Sequence, residues 1–333
     1  MKKVKIPDKV ELPLIGCVAF GLIDRGTNLV QVRPISGCCL NCIFCSVDEG
    51  PFSKTRITSY EIALDYLIEW FKVLIKFKRC KQIEAHLDCS GEVTLYPKLI
   101  DLVQALKEIE EVKVISMQTK AFLLNEKEIK ELEEAGLSRI NLSIDALDET
   151  LAKKLAGTET YDLKKILEKA EFVTQNTSID LLIAPVWIPG YNDQEIPKII
   201  EFALGIKAGK RWPALGIQKY LPYKLGRKPK RCKPMSWKEF YSKLKEYEKI
   251  YKTKLILRPK DFGIFKTKIL PLVFKKNEVL KVKIVADGWI KSEKLAHDKN
   301  FLRTISVVGA KSYGWKKVRI VSNKHNIYVA KVV

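Results

Sequence analysis

No apolar run in this 333-residue sequence is long enough to cross a bilayer, because each is soon broken by a charge. The opening MKKVKIPDKVELPLIG is basic but lacks the apolar core of a secretory leader, so the cytoplasm is the expected location and no membrane partner is expected. Internal repeats and low-complexity segments are absent. Only three histidines occur, His86, His297 and His325, and they form no pattern that would suggest catalysis. Hydrophobic residues at 47% and a mean hydropathy of −0.09 are ordinary for a chain with a real core. The length suits one large α/β domain with a small accessory domain, or two medium ones.

Acidic residues are in short supply. Lys and Arg number 60 against 39 Asp and Glu, a net charge of +21, which favours a polyanionic partner. A lysine-rich or heat-adapted surface is the plain alternative, and it would spread the charge evenly. Here the charge is gathered. No acidic residue lies between Phe202 and Trp237, a stretch holding Lys207, Lys210, Arg211, Lys219, Lys224, Arg227, Lys228, Lys230, Arg231 and Lys233. Residues Leu270–Val333 carry 14 basic and 4 acidic side chains. Less than a fifth of the chain thus holds nearly half the net charge.

Eight cysteines occur, at positions 17, 38, 39, 42, 45, 80, 89 and 232. Without a secretory leader a disulfide framework is not expected, and four cysteines within Cys38–Cys45 point to metal or redox chemistry. Cys17, Cys80 and Cys232 are scattered and read as structural.

Strand-like runs cover Leu29–Ile35, Gln82–Asp88, Val112–Thr119, Arg139–Ile144, Ile179–Val186 and Leu215–Leu221. Helical periodicity fills Tyr60–Phe77, Lys98–Ile109, Glu126–Ala135, Leu163–Val173 and Ile196–Leu204. Thr58 and Ser59 read as start signals for the first helix, Asn125 for the third, and Gly136 as its stop. Six β-then-α units predict a parallel sheet with helices outside, an open or closed barrel whose site lies at the strands' C-terminal ends. Beyond Leu221 come a basic stretch, a helix at Trp237–Lys252, a short strand at Leu255–Leu257 and a linker. From Leu270 the period becomes two, with turns at Gly288 and Gly314, as in a small all-β barrel. The expected divisions are an N-terminal extension (1–28), the α/β barrel (29–221), a basic segment with helix and linker (222–269) and the small barrel (270–333).

The cysteine loop reads VRPISGCCLNCIFCSVDEG, with spacing Cys38-x3-Cys42-x2-Cys45. Three thiolates can hold three irons of a [4Fe–4S] cube and leave the fourth open to a cofactor. A structural zinc would want a fourth ligand, for which Cys39 is badly placed as a chain neighbour. This loop, following the first strand of a β/α series and with the aromatic Phe44 before its last cysteine, resembles the radical S-adenosylmethionine (radical SAM) superfamily. The resemblance implies a cluster on Cys38, Cys42 and Cys45 that cleaves SAM to a 5′-deoxyadenosyl radical, and an electron donor such as a ferredoxin or flavodoxin. The run CIFCSVDEGP also resembles an archaeal-type radical SAM group that carries no defined reaction. Within that run and just beyond it, Asp48, Glu49 and Arg56 either line a substrate entrance or order the loop, the latter favoured.

Ser90-Gly91-Glu92, after the second strand, resembles the family's Gly-Gly-Glu-Pro motif, with Ser for the first Gly and Val93 for Pro. Its carboxylate is suited to the SAM amino group. Alternation places Asn141, Ser143 and Asp145 on one face of the fourth strand, where the family makes SAM contacts; ordinary strand-end polarity is the alternative. Gln118, at the end of the third strand, carries a weaker case. Cys89 is the catalytic candidate, as a radical partner or methyl-carrying thiol, against simple packing.

Residues 270–333 resemble a TRAM domain, an OB-like barrel that binds RNA. Basic strands interleaved with Trp289, Phe301, Tyr313, Trp315 and Tyr328 suit phosphates and stacked bases. Trp289 and Tyr328 are expected in the core, Tyr313 and Trp315 in an exposed loop. The expected partner is RNA, most plausibly tRNA, held by Lys219, Lys224, Arg227, Lys228, Lys230, Arg231, Tyr313 and Trp315. A protein or small-molecule substrate, or a non-catalytic iron–sulfur RNA binder, remain alternatives.

Overall fold

A computed structural model describes residues 2–8 and 10–333. The chain forms two compact units, one of Met1–Gly37, Lys54–Lys113 and Lys266–Val333, the other of Cys38–Ser53 and Val114–Phe265. Among the described residues no helix is long and apolar enough to cross a membrane.

The first unit begins with strands β1 (Lys2–Ile6), β2 (Gly21–Asp24), β3 (Leu29–Arg33), β4 (Ser36–Gly37) and β5 (Thr58–Ile62). Helix α1 (Leu64–Lys78), β6 (Ile83–Leu87), β7 (Ser90–Gly91) and α2 (Leu99–Lys107) follow. Strands β3 and β6 pair in parallel and β2 joins β3 antiparallel. All five residues of β6 except His86 are buried, as in a strand covered on both faces. Helix α1 buries Leu67, Phe71, Leu74 and Ile75 along one stripe.

The helix expected from Tyr60 starts four residues later. Thr58–Ile62 alternates in burial and pairs in parallel with β1, which lies in the segment expected only as an extension. Two short β segments compete better for these β-branched and aromatic residues than a helix does. Thr58 and Ser59 are therefore strand residues, and the cap position is Ala63, without a side-chain cap.

The end of α1 carries a buried ion pair. Lys78 Nζ lies 2.7 Å from Asp24 Oδ1, with both side chains inaccessible to solvent. Lys78 also donates to the Lys268 carbonyl, and Asp24 accepts from the Gly26 and Leu270 amides. Buried charges persist when each is paired and its remaining hydrogen-bonding capacity is met, as here.

The second unit holds β8 (Val112–Thr119, but for its first two residues), α3 (Glu126–Glu134), β9 (Arg139–Leu142), α4 (Glu149–Ala156), α5 (Leu163–Asn176), β10 (Asp180–Ile183) and β11 (Val186–Trp187). Helix α6 (Glu195–Gly205), β12 (Gln218–Lys219) and α7 (Trp237–Tyr251) complete it. Strands β8, β9 and β10 are parallel, in a register that sets Gln118, Asn141 and Leu182 side by side. Asn125 forms a full capping box with Glu128, and Asp148, Asp162 and Ser236 cap α4, α5 and α7.

Three sequence expectations change here. The strand over Ile179–Val186 breaks at Pro185, which has no amide to donate, and resumes as β11. Only Gln218–Lys219 of Leu215–Leu221 forms a strand, paired with β11. Leu255–Leu257 is not a strand, because the Leu255 and Ile256 amides are satisfied by the Glu248 carboxylate instead of a neighbouring ladder.

The chain ends in a closed five-stranded barrel of β13 (Val279–Asp287), β14 (Glu293–Asp298), β15 (Thr304–Val308), β16 (Gly314–Ser322) and β17 (Val329–Val332), in the order β13-β14-β15-β17-β16. Its core includes Val282, Ile284, Ile305, Val318 and Tyr328. This barrel belongs to the first unit and is strapped by the segment before β2. The Thr304 amide donates to Ile15 and the Tyr328 amide to Gly16. At Gly16, with φ +125°, a Cβ would stand 2.1 Å from the Thr304 carbonyl oxygen, so only glycine fits. The Arg56 guanidinium stacks 3.6 Å from the Trp289 ring centroid, and the Tyr60 hydroxyl donates to the Asp287 carbonyl.

Lys78→Ala leaves Asp24 buried without its counter-charge and should lower unfolding stability by about 3–5 kcal/mol. Urea titration checks this, with the exposed Lys72→Ala expected to stay within about 0.5 kcal/mol of the wild type.

Candidate functional site

The cysteine loop lies in the second unit and its backbone is held from behind. The Asn41 and Ile43 amides donate to the carbonyls of Ala156 and Leu155. Those carbonyls end α4 and would otherwise lack partners. At Gly157 a Cβ would lie 2.1 Å from the Asn41 oxygen, and at Gly50 2.0 Å from the Leu40 oxygen. The glycines let two stretches of backbone meet, which no side chain would permit.

Arg227 closes the loop. Its amide donates to Cys45 O at 2.8 Å, Nη1 to Cys42 O at 3.1 Å and Nη2 to Glu49 O at 2.6 Å. Its Nε pairs with Asp48 Oδ1 at 2.8 Å. Arg227 was expected to grip RNA, but its guanidinium is spent on the cysteine loop. Asp48 and Glu49 accordingly order the loop. Lys224, Lys228, Lys230 and Arg231 are exposed around it, while Lys219 is half-buried and lies 5.0 Å over the Trp237 ring.

Burial pushes the Cys42 thiol up to about 11; the Lys120 cation opposes this, and Asp145 and Cys45 reinforce it. Cys38 Sγ accepts from the Leu40 amide at 3.4 Å, the kind of N–H···S contact that tunes cluster thiolates. Among the described residues no three Cys, His, Asp or Glu side chains converge as a metal site. The donor chemistry still fits an iron–sulfur cluster: thiols outside any disulfide lie on one loop whose backbone is fixed by other residues. Cys38, Cys42 and Cys45 would hold it, with Cys39 beside them on the same loop.

Beside Cys42 stands Lys120, just past β8, paired with Asp145 and lying 5.8 and 5.9 Å from the rings of Phe44 and Tyr161. Burial works against its charge, but Asp145 and Cys42 outweigh it and hold the ammonium above its usual range. Asp145 also accepts the Val186 amide. Gln118 Nε2 donates to Ser143 Oγ at 2.8 Å, and Arg139 Nε donates to Asn141 Oδ1 at 3.0 Å. Gln118 and Asn141 thus lie side by side on β8 and β9, with Ser143 and Asp145 in the segment that follows β9. Gln118 and Asn141 also line a cavity of about 330 Å³ under α7.

Ser90, Gly91 and Glu92 belong to the first unit. Strand β7 pairs with β4, and a Cβ at Gly91 would fall 1.8 Å from the Gly37 oxygen, which fixes glycine there. The Glu92 amide donates to that same oxygen. Ser90 Oγ bonds to Arg33 and to the Val18 carbonyl, and Glu92 Oε1 accepts the Thr94 amide and hydroxyl. Burial, with the Asp88 charge, pushes the Cys89 thiol well above its usual range. A raised thiol works against a thiolate role for Cys89.

In the first unit's barrel, Tyr328 and Trp289 are buried, whereas Tyr313 and Trp315 are 52% and 45% exposed. Trp315 belongs to β16 instead of a loop, and the Tyr313 hydroxyl is tied to Asp287 at 2.7 Å. Lys120 and the aromatic side chains of α7 escaped sequence reading. Lys120 is one lysine among many, and α7 reads as an ordinary amphipathic helix.

The Radical SAM superfamily model matches residues 32–203. An uncharacterised protein of Methanocaldococcus jannaschii is 49% identical over 97% of this chain and 79% of its own length. The GTP 3′,8-cyclase of Listeria monocytogenes is 27% identical over 54% of this chain, which spans about half (51%) of that enzyme. A probable GTP 3′,8-cyclase of Archaeoglobus fulgidus is 30% identical over 59% of this chain and 61% of its own. Among solved structures, TYW1 with a lysine–pyruvate adduct bound aligns with a TM-score of 0.50 at 18% identity, over 74% of this chain and 81% of its own. Streptococcus suis SuiB bound to S-adenosylmethionine aligns with a TM-score of 0.50 at 17% identity, over 68% and 48%. Both share the fold.

Anaerobic reconstitution should give about four irons per chain. Cys38→Ala, Cys42→Ala and Cys45→Ala should each abolish this content and Cys39→Ala should keep it. Arg227→Ala should retain the ligands but lose iron faster on gel filtration. Iron and sulfide assays read all five variants; a stable cluster in Cys38→Ala, lost in Cys39→Ala, would reassign the first ligand.

Proposed function

Because the chain belongs to the radical SAM superfamily, whose members use a [4Fe–4S] cluster and SAM, we propose that it modifies a nucleotide in structured RNA, with tRNA the first candidate. When bound, the cluster and SAM supply hydrogen-atom abstraction. The chain's own residues position and seal. Cys38, Cys42 and Cys45 hold the cluster, and Glu92 takes the SAM amino group. Phe44, Ser143 and Asp145, in the second unit with the cysteine loop, are further cofactor contacts, with Lys120 fixing Phe44 and Asp145. A cytoplasmic ferredoxin or flavodoxin supplies the electron.

The observation that carries the RNA reading is a charge ladder on the small barrel. In the β13–β16 register Lys281 stands directly opposite Lys317, Lys283 opposite Trp315 and Val279 opposite Arg319, all on the exposed face. Like charges directly opposite each other destabilise a sheet. Such a pair is an asset once a polyanion lies across it, and the exposed Trp315 offers a base something to stack on. Its likeness to a TRAM barrel agrees with this.

A second reading is a free nucleotide substrate, favoured by the relatives named GTP 3′,8-cyclase. It gives the ladder no task, and the two readings separate on salt dependence. Each phosphate contact contributes a log–log salt slope of about 0.7–0.9. The double variant Lys281→Ala/Lys317→Ala should weaken tRNA binding and flatten that slope by about 1.4–1.8. It should also be at least as stable as the wild type in urea, because a repulsive pair is gone. Unchanged tRNA affinity and slope would remove the barrel as the RNA anchor and put the free-nucleotide reading ahead.

A further inference from the structure

The cavity under α7 is lined without charge. Its floor is the strand row Gln118–Asn141–Leu182, extended by Ala184 and Gly216, and its cover is Phe240, Tyr241 and Leu244 of α7 with Leu255, Leu257 and Phe262. The basic stretch Phe202–Trp237 contributes Gln218 to the wall but no cation. In a protein of net charge +21 that exclusion is informative. A phosphate would lose its hydration among these neutral side chains, and the one cation bound to the floor, Arg139, is already held by Asn141 and two aromatic rings, so the cavity suits an uncharged group. At about 330 Å³ it lies in the range of ligand sites, which start at about 300 Å³.

The two carboxamides in the floor are already half committed. Asn141 Oδ1 accepts from Arg139, whose guanidinium is sandwiched 4.7 Å from Trp212 and 5.1 Å from Phe262. Gln118 Nε2 donates to Ser143. That leaves Asn141 Nδ2 as a donor and Gln118 Oε1 as an acceptor on adjacent strands. A donor beside an acceptor matches the edge of a nucleobase, which presents the complementary pair. At the mouth, Tyr241 both lines the cavity and is 45% exposed, and it stacks on Trp237, itself 53% exposed, at 5.7 Å and 23°. Six residues after Gln218 the chain reaches the exposed cations Lys224, Lys228 and Lys230.

We propose that this cavity takes the neutral base of the target nucleotide, read by Asn141 and Gln118 and stacked on Tyr241, while phosphates stay outside on the basic stretch. Gln118 and Asn141, expected as cofactor contacts, are reassigned to the substrate. The proposal of a target nucleotide rests on the RNA-modifying reading, and the test below tells failure of that reading from failure of the base site. Extruding one nucleotide from a structured RNA costs a few kcal/mol, which stacking on the mouth aromatics offsets.

The test is saturation-transfer NMR on the oxidised holoenzyme with adenosine, guanosine, cytidine and uridine, and ribose as control. At least one nucleoside should show saturated base protons and ribose should show none. Ala184→Leu, which fills the cavity, should abolish the signal. Tyr241→Ala should lower it at least fivefold, and because that side chain is half exposed this variant decides the matter if the filled one does not fold. Filter binding reads the bulk tRNA affinity of the wild type alongside. No nucleoside signal, equal signals from ribose, or an unchanged signal in Tyr241→Ala would overturn the assignment. Nucleoside binding without any tRNA binding would sink the RNA reading and leave the cavity as a base site.

Discussion

A loop that offers thiols to iron cannot use those thiols to hold its own shape, and that constraint organises the second unit. The peptide groups of Asn41, Cys42, Ile43 and Cys45 are instead committed to Arg227 and to the C-terminal carbonyls of α4. Glycines at 50, 157 and 226 let backbone approach backbone where any Cβ would collide. Arg227 suits this role because one planar guanidinium can serve two carbonyls and a carboxylate at once, which a lysine cannot. Its position in a basic stretch disguised it as one more RNA contact. The same guanidinium fixes Asp48 and Glu49, so the acidic run after the last cysteine serves the loop.

Charge is allocated by task. Lys78 and Asp24 spend theirs on a buried pair in the first unit, and Lys120 and Asp145 on a second one beside Cys42. The small barrel sets Lys281 opposite Lys317, whereas the cavity under α7 has no charged side chain in its lining. A merely basic surface would show neither the opposed pair nor the neutral pocket. Together they are what the proposed reading, phosphates outside and an uncharged group inside, rests on.

Where local chemistry decides structure, the sequence was readable. The Asn125 capping box, the β8 and β9 strands, the α7 helix and the alternation of the small barrel follow from spacing that tertiary packing does not overrule. Thr58–Ile62 was misread because its pattern suits either a helix start or a strand, and only the presence of β1 decides between them. Leu255 and Leu257 look like a strand but line a cavity, and the Leu255 and Ile256 amides are served by Glu248. The thiol spacing of the candidate site was legible because three ligands on one loop leave a local signature. Lys120, Arg227 and Tyr241 were not, since each reaches its partners through the fold.

The central claim is that this chain alters a nucleotide in cellular RNA. Mass spectrometry of nucleosides digested from bulk tRNA and rRNA, with and without the gene, addresses it directly. The account predicts one modified nucleoside that disappears on deletion, returns with the wild-type gene and stays absent with the Cys42→Ala gene. An unchanged nucleoside inventory in both RNA pools would contradict it.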